Sequence, residues 1–113
     1  MNSIRVESMA FVLVAKVSDI PAGSIKDVKV DGMEVALANV SGKFYAISNT
    51  CLHRGGPLGQ GVLEGRVVTC PWHGWQFDVT TGKVAQNDSV GVSCFATEVR
   101  GEEVYVNLSQ PCS

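Results

Sequence analysis

Ile25-Lys26-Asp27-Val28-Lys29-Val30-Asp31-Gly32-Met33-Glu34-Val35-Ala36-Leu37-Ala38-Asn39-Val40 is the stretch that decides the fold class. Two apolar-rich runs, Ile25 to Val30 and Met33 to Val40, flank Asp31-Gly32. That pair suits a two-residue hairpin turn, in which both central residues take positive φ. In the second arm Met33, Val35 and Leu37 share one face. Ser41-Gly42 makes the next turn, and Lys43 to Ser48 reads as a third strand. Upstream, Phe11 to Val17 is apolar except for Lys16, which is strand length rather than helix length. Ser18 to Gly23 is a turn by composition. Near the end of the chain, Phe95 to Val99 and Glu103 to Leu108 form a hairpin across Arg100-Gly101-Glu102. Short strands separated by turns at this spacing predict an all-β, antiparallel sandwich or barrel.

Residues 49–79 interrupt that pattern as a smaller inserted subdomain. Asn49 to Gly61 carries Cys51-Leu52-His53, then Arg54-Gly55-Gly56-Pro57-Leu58-Gly59. Glycines and a proline together suit a backbone bent tightly round something. Val62-Leu63 and Arg66 to Thr69, joined by Glu64-Gly65, read as a hairpin that brings a second stretch, Cys70-Pro71-Trp72-His73, to the same end. Trp75, Phe77 and Val79 then alternate with Gln76 and Asp78, a core-strand pattern. Thr80 to Lys83 is a turn that Asp78 and Thr81 stabilise, and Gln86 to Gly91 is polar and irregular.

The two short stretches carry the chemistry. The pattern is C-x-H, sixteen residues, then C-x-x-H, and the chain's two histidines both lie in it. Two thiolates and two imidazoles suit one tetrahedral zinc. They also suit a [2Fe–2S] cluster with two cysteines on one iron and two histidines on the other. A zinc finger usually pairs Cys with Cys and His with His along the chain. Here each loop supplies one of each, with Cys first, which favours the two-iron centre.

Composition narrows the rest. In 113 residues, 45% apolar and 18% charged, there is material for one compact domain over residues 1–113. Nine basic against eleven acidic residues, with no basic block, argue against nucleic acid as a partner. No apolar run approaches the roughly 20 residues of a membrane helix, so no membrane association is expected. Met1 to Ala10 lacks an export-signal pattern and reads as a flexible lead-in, with Met9 an alternative start, which points to the cytoplasm. Four cysteines would also allow two disulfides in a secreted domain. The missing export signal and the close Cys/His pairing favour metal instead. On that reading Cys94 is a buried core thiol and Cys112, next to last, is exposed and unpaired.

Cys51-Leu52-His53-Arg54-Gly55-Gly56 and Cys70-Pro71-Trp72-His73-Gly74-Trp75 resemble the two signature boxes of Rieske iron–sulfur proteins. Phe44-Tyr45-Ala46-Ile47 before the first box, and Phe77-Asp78 with Thr81-Gly82 after the second, extend the likeness over residues 33–83. The length resembles a small soluble Rieske-type ferredoxin of the oxygenase-associated class. The resemblance implies one [2Fe–2S] cluster per chain, with Cys51 and Cys70 on one iron and His53 and His73 on the other. Respiratory members of the family carry a further cysteine in each box, joined as a disulfide; here those positions hold Gly56 and Trp72. Those members also follow the second box with a serine and a tyrosine whose hydroxyls bond to the cluster and its cysteine. Here the positions are Trp75 and Phe77. Losing donors aimed at sulfur lowers the potential, so the low end of the family's range of about −150 to +300 mV is expected. Many members also shield the cluster with a proline-containing loop. Between Trp72 and Gln110 this chain has no proline, and Asn87-Asp88-Ser89 takes that place as a looser cover.

The function implied is a one-electron carrier rather than an enzyme, passing electrons from a flavin-dependent reductase to the terminal oxygenase of a ring-hydroxylating dioxygenase system. No nucleotide-binding glycine loop or nucleophile–base pair is present, and both histidines are already spent. Partner docking is expected at Leu52, His53, Arg54, Pro57, Trp72 and His73, apolar and aromatic groups round a redox centre suiting a small transient interface. Leu52 and Trp72 packing over the cluster, a solvated Arg54 and a loop-shaping Pro57 are the alternatives. Three other functions stay open: a small Rieske subunit bound to a large nitrite reductase subunit, a structural zinc module for protein binding, and a redox sensor.

Overall fold

The computed structural model describes residues 11–51, 56–72 and 74–112. Met1 to Ala10, the expected lead-in, lies outside them. Eleven strands are found among the described residues, with no α-helix. A six-stranded antiparallel sheet uses β1 (Phe11–Lys16), β2 (Ile25–Val30), β3 (Met33–Val40), β4 (Lys43–Ser48), β10 (Cys94–Arg100) and β11 (Glu103–Pro111). Its order is β1-β11-β10-β4-β3-β2, and the outer strands β1 and β2 contact each other, which nearly closes it into a barrel. A five-stranded sheet uses β5 (Val62–Glu64), β6 (Val67–Thr69), β7 (Gln76–Asp78), β8 (Lys83–Val84) and β9 (Asn87–Gly91), paired in sequence order.

The β2–β3 hairpin forms as its sequence predicts. Asp31 and Gly32 have φ of 50° and 84°, so the turn twist matches that of the strands it joins. Register then follows, from Val30 opposite Met33 to Ile25 opposite Ala38. Val35 and Leu37 face the barrel interior, packing with Ile20, Phe44, Val104 and Val106. Met33, expected on that face, sits at the hairpin end and stays 48% exposed. The opposite face of β3 is also buried, through Ala36 and Ala38. With Ile47 they meet Leu58, Val68, Phe77 and Val79, which lie before, in and just after strands of the second sheet. Small side chains there let the second sheet approach closely. The middle of β3, Val35 to Ala38, therefore reads as a continuous apolar run, as a segment buried on both faces must.

Three expectations are corrected. Gln86 to Gly91 is not irregular: residues 87–91 form β9, paired to β8 with an irregular register that tolerates its polar sequence. Trp75 precedes β7 rather than belonging to it, and is 37% exposed, whereas Phe77 is fully buried. Cys94 and Cys112 are not separate thiols. They form a disulfide with Cα atoms 5.3 Å apart, because β11 runs on to Pro111 and returns the tail to the start of β10. No helix among the described residues is long and apolar enough to cross a membrane.

Candidate metal centre

Cys51 lies three residues beyond the end of β4, and bonds between the residues on either side tie the outgoing chain to the returning one. The Cys51 N–H donates to the Gly56 carbonyl at 2.9 Å. Thr50 bridges Pro57, and the Leu58 N–H donates to the Asn49 carbonyl at 2.8 Å. The Gly59 N–H donates to Asn49 Oδ1 at 2.6 Å. Leu58–Gln60 is a single 3-10 turn, and the fully buried Leu58 anchors it in the second core. Cys70 immediately follows β6, and a tight turn begins there. The Cys70 N–H donates to the Trp75 carbonyl at 2.7 Å, and the Gly74 N–H to the Cys70 carbonyl at 3.1 Å. Pairing of Thr69 with Gln76 fixes the base of that turn.

The two loops meet at Gly56. A Cβ on that residue would lie 2.8 Å from Cys70 Sγ and 2.9 Å from Cγ of Trp72, so the contact requires glycine. Cys51 and Cys70 are each 2% exposed and belong to the same core cluster. Pairing of the other two cysteines leaves them as thiols. Two buried thiols under a bare backbone are a donor set that fits iron or zinc. His53 and His73, the expected partners, lie outside the described residues, as do Leu52 and Arg54.

Of the expected docking residues, Pro57 is half-buried in the bridge to Thr50. Trp72 packs its indole against Gly56 and remains 56% exposed. It thus both packs across the loops and presents an aromatic surface. Beside it, Gly74, Trp75, Gln76, Val84, Gln86 and Val90 line an open groove of about 230 Å³. The expected cover, residues 87–89, lies in β9. Asp78 has the turn role expected of it: Oδ1 accepts from the Thr80 N–H and hydroxyl, while Oδ2 pairs with Arg66 Nε at 3.1 Å. Asn49 carried no signal in the sequence, since a polar residue at a strand end is common.

A family profile for the Rieske [2Fe-2S] domain matches residues 10–96. The chain belongs to the Rieske family. Among Rieske relatives, the ferredoxin component of the naphthalene 1,2-dioxygenase system of Pseudomonas aeruginosa is 38% identical over 96 residues, covering 80% of this chain and 88% of that protein. A chain in the complex of reduced oxygenase and oxidized ferredoxin in carbazole 1,9a-dioxygenase superposes with a TM-score of 0.80 at 36% identity. That match covers 90% of this chain and 95% of the other. The ferredoxin of carbazole 1,9a-dioxygenase from Nocardioides aromaticivorans IC177 gives 0.79 at 33% identity, over 89% and 97%.

Proposed function

We propose that this chain is a Rieske ferredoxin that delivers single electrons to the terminal oxygenase of a ring-hydroxylating dioxygenase system. The observation that carries this reading is the meeting of the two loops at Gly56, with the thiols of Cys51 and Cys70 buried in one core. Relatives named as dioxygenase ferredoxins, alike over most of their length, support the partner. Cys51 and Cys70 hold one iron, and His53 and His73 the other, in one [2Fe–2S] cluster per chain. Bound there, the cluster supplies a one-electron couple. The protein's own part is to hold the thiolates apart from water behind Leu58, Val68 and Phe77, and to offer Trp72 with Leu52, Arg54 and Pro57 to the partner. A flavin-dependent reductase supplies the electron. Residues 1–113 are one Rieske domain, with residues 49–79 as its cluster-binding subdomain, working in the cytoplasm.

Absorption and EPR spectra of the purified chain, before and after dithionite, test the reading. A red-brown protein is expected, with iron and sulfide in equal amounts and a reduced-state signal whose average g lies below that of all-cysteine clusters. A colourless, EPR-silent chain holding stoichiometric zinc would overturn it.

A further inference from the structure

We infer that Asn49 is the positioning residue of the first cluster loop, gripping both the outgoing and the returning chain so that Cys51 stands in fixed register against Cys70. The inference rests on Cys51 being a cluster ligand. Asn49 is 2% exposed, and its backbone and side chain make four bonds. Its N–H donates to the Glu34 carbonyl at 3.3 Å, and its carbonyl accepts from Leu58 at 2.8 Å. Oδ1 accepts from the Gly59 N–H at 2.6 Å. Nδ2 donates to Glu34 Oε1 at 3.3 Å.

These bonds refer the loop to the barrel on three sides. Asn49 follows β4 along the chain and bonds to Glu34 of β3. Gly59 rests on the backbone of β2, where a Cβ would clash with the Asp27 amide. Gln60 Nε2 adds a bond to Asp27 Oδ2 at 3.0 Å. The backbone and side chain of one residue therefore hold the loop where it leaves the scaffold and where it returns. A carboxamide suits the place because acceptor and donor are both used. Aspartate keeps the acceptor for Gly59 but sets its charge beside the Glu34 carboxylate. Leucine, of similar size, leaves the buried Gly59 N–H without an acceptor.

The test compares the full chain as purified with Asn49→Leu, Asn49→Asp, and Asn49→Asp combined with Glu34→Gln, which restores the bond with donor and acceptor exchanged. Amide hydrogen exchange at Cys51 and Gly59, release of iron to a chelator, and the midpoint potential are read. In Asn49→Leu and Asn49→Asp, exchange at Cys51 and iron release are expected to rise about tenfold, the worth of roughly one net hydrogen bond. The potential shifts, while β10 and β11 keep their protection. The paired swap is expected to return all three readings toward wild type. Unchanged Cys51 exchange, equal loss of protection in β10 and β11, or failure of the swap to rescue would each overturn the inference. Should Asn49→Leu not fold, Asn49→Asp with and without Glu34→Gln decides alone. A wild-type chain lacking iron would count against the electron-carrier reading, while the exchange rates would still decide the role of Asn49.

Discussion

Cys112→Ser removes the disulfide that ties the end of β11 to the start of β10. The bond closes a loop with a sequence separation of 18. Loop-closure entropy for that length gives about 3 kcal/mol of stabilisation at 25 °C. Little else replaces it: the Cys112 N–H bonds to the Cys94 carbonyl at 3.2 Å, and Cys112 Sγ lies 3.6 Å from the Thr80 carbonyl. For a chain of this size, about 3 kcal/mol corresponds to a melting temperature lower by about 12 °C. Thermal unfolding followed by far-ultraviolet circular dichroism, on oxidised wild type and Cys112→Ser at equal cluster content, reads the difference. The visible spectrum should not move, because neither cysteine belongs to the loops that meet at Gly56. Wild type treated with a dithiol should melt with the variant, as it would in a reducing compartment, where such bonds open. A difference under about 3 °C would refute the reasoning, since the closed loop would then not constrain the unfolded chain as its length requires.

Gly56→Ala places a methyl group against Cys70 Sγ and the Trp72 ring, so iron content is expected to fall and stability to drop by about 1–3 kcal/mol, measured by iron assay and urea unfolding. Trp72→Ala, at a half-exposed position, should cost little stability yet lower the apparent affinity for the terminal oxygenase about tenfold, read from kcat/KM with the ferredoxin as varied substrate. Tyr105 donates its hydroxyl to Glu103 Oε1 at 2.9 Å, and chiefly that bond raises its pKa above the ordinary value of 10.0. The folded chain then holds this proton more tightly than the unfolded chain. That contribution is complete below pH 10 and lost as pH rises through the raised value, a decline that Tyr105→Phe should remove in unfolding curves taken across alkaline pH.

The barrel was largely legible because its signals are local. Asp31-Gly32 and Ser41-Gly42 set turn geometry by themselves, and the apolar runs of β3 and β4 need no distant partner to be seen. The family was legible for the same reason, since the two boxes that carry the likeness are each a few adjacent residues. Features that depend on distant contacts were not. Residues 87–91 become a strand through β8, despite a polar sequence that resembles a loop. Trp75 fitted the alternation of Phe77 and Val79, but Gly74, with φ of 80°, turns the chain before β7 begins and leaves the indole at the surface. Pairing of Cys94 with Cys112 follows from the overrun of β11, which no residue near either cysteine announces. Asn49 reads as an ordinary strand-end residue until Gly59, ten positions later, is brought onto its side chain.

Because β3 turns Val35 and Leu37 to one core and Ala36 and Ala38 to the other, it is a shared wall rather than the border of either. Enlarging Ala36 or Ala38 would press on Leu58, Val68 and Phe77, and relief would come only by displacing the thiol loops or by shifting β3, whose other face carries the barrel lining. The five-stranded sheet is consequently not a module to be lifted onto a foreign barrel. A graft that keeps both Cys/His boxes but loses the paired alanines would lack the recess into which Phe77 and Leu58 settle. Redesign of this electron carrier has to move β3 together with the loops it supports.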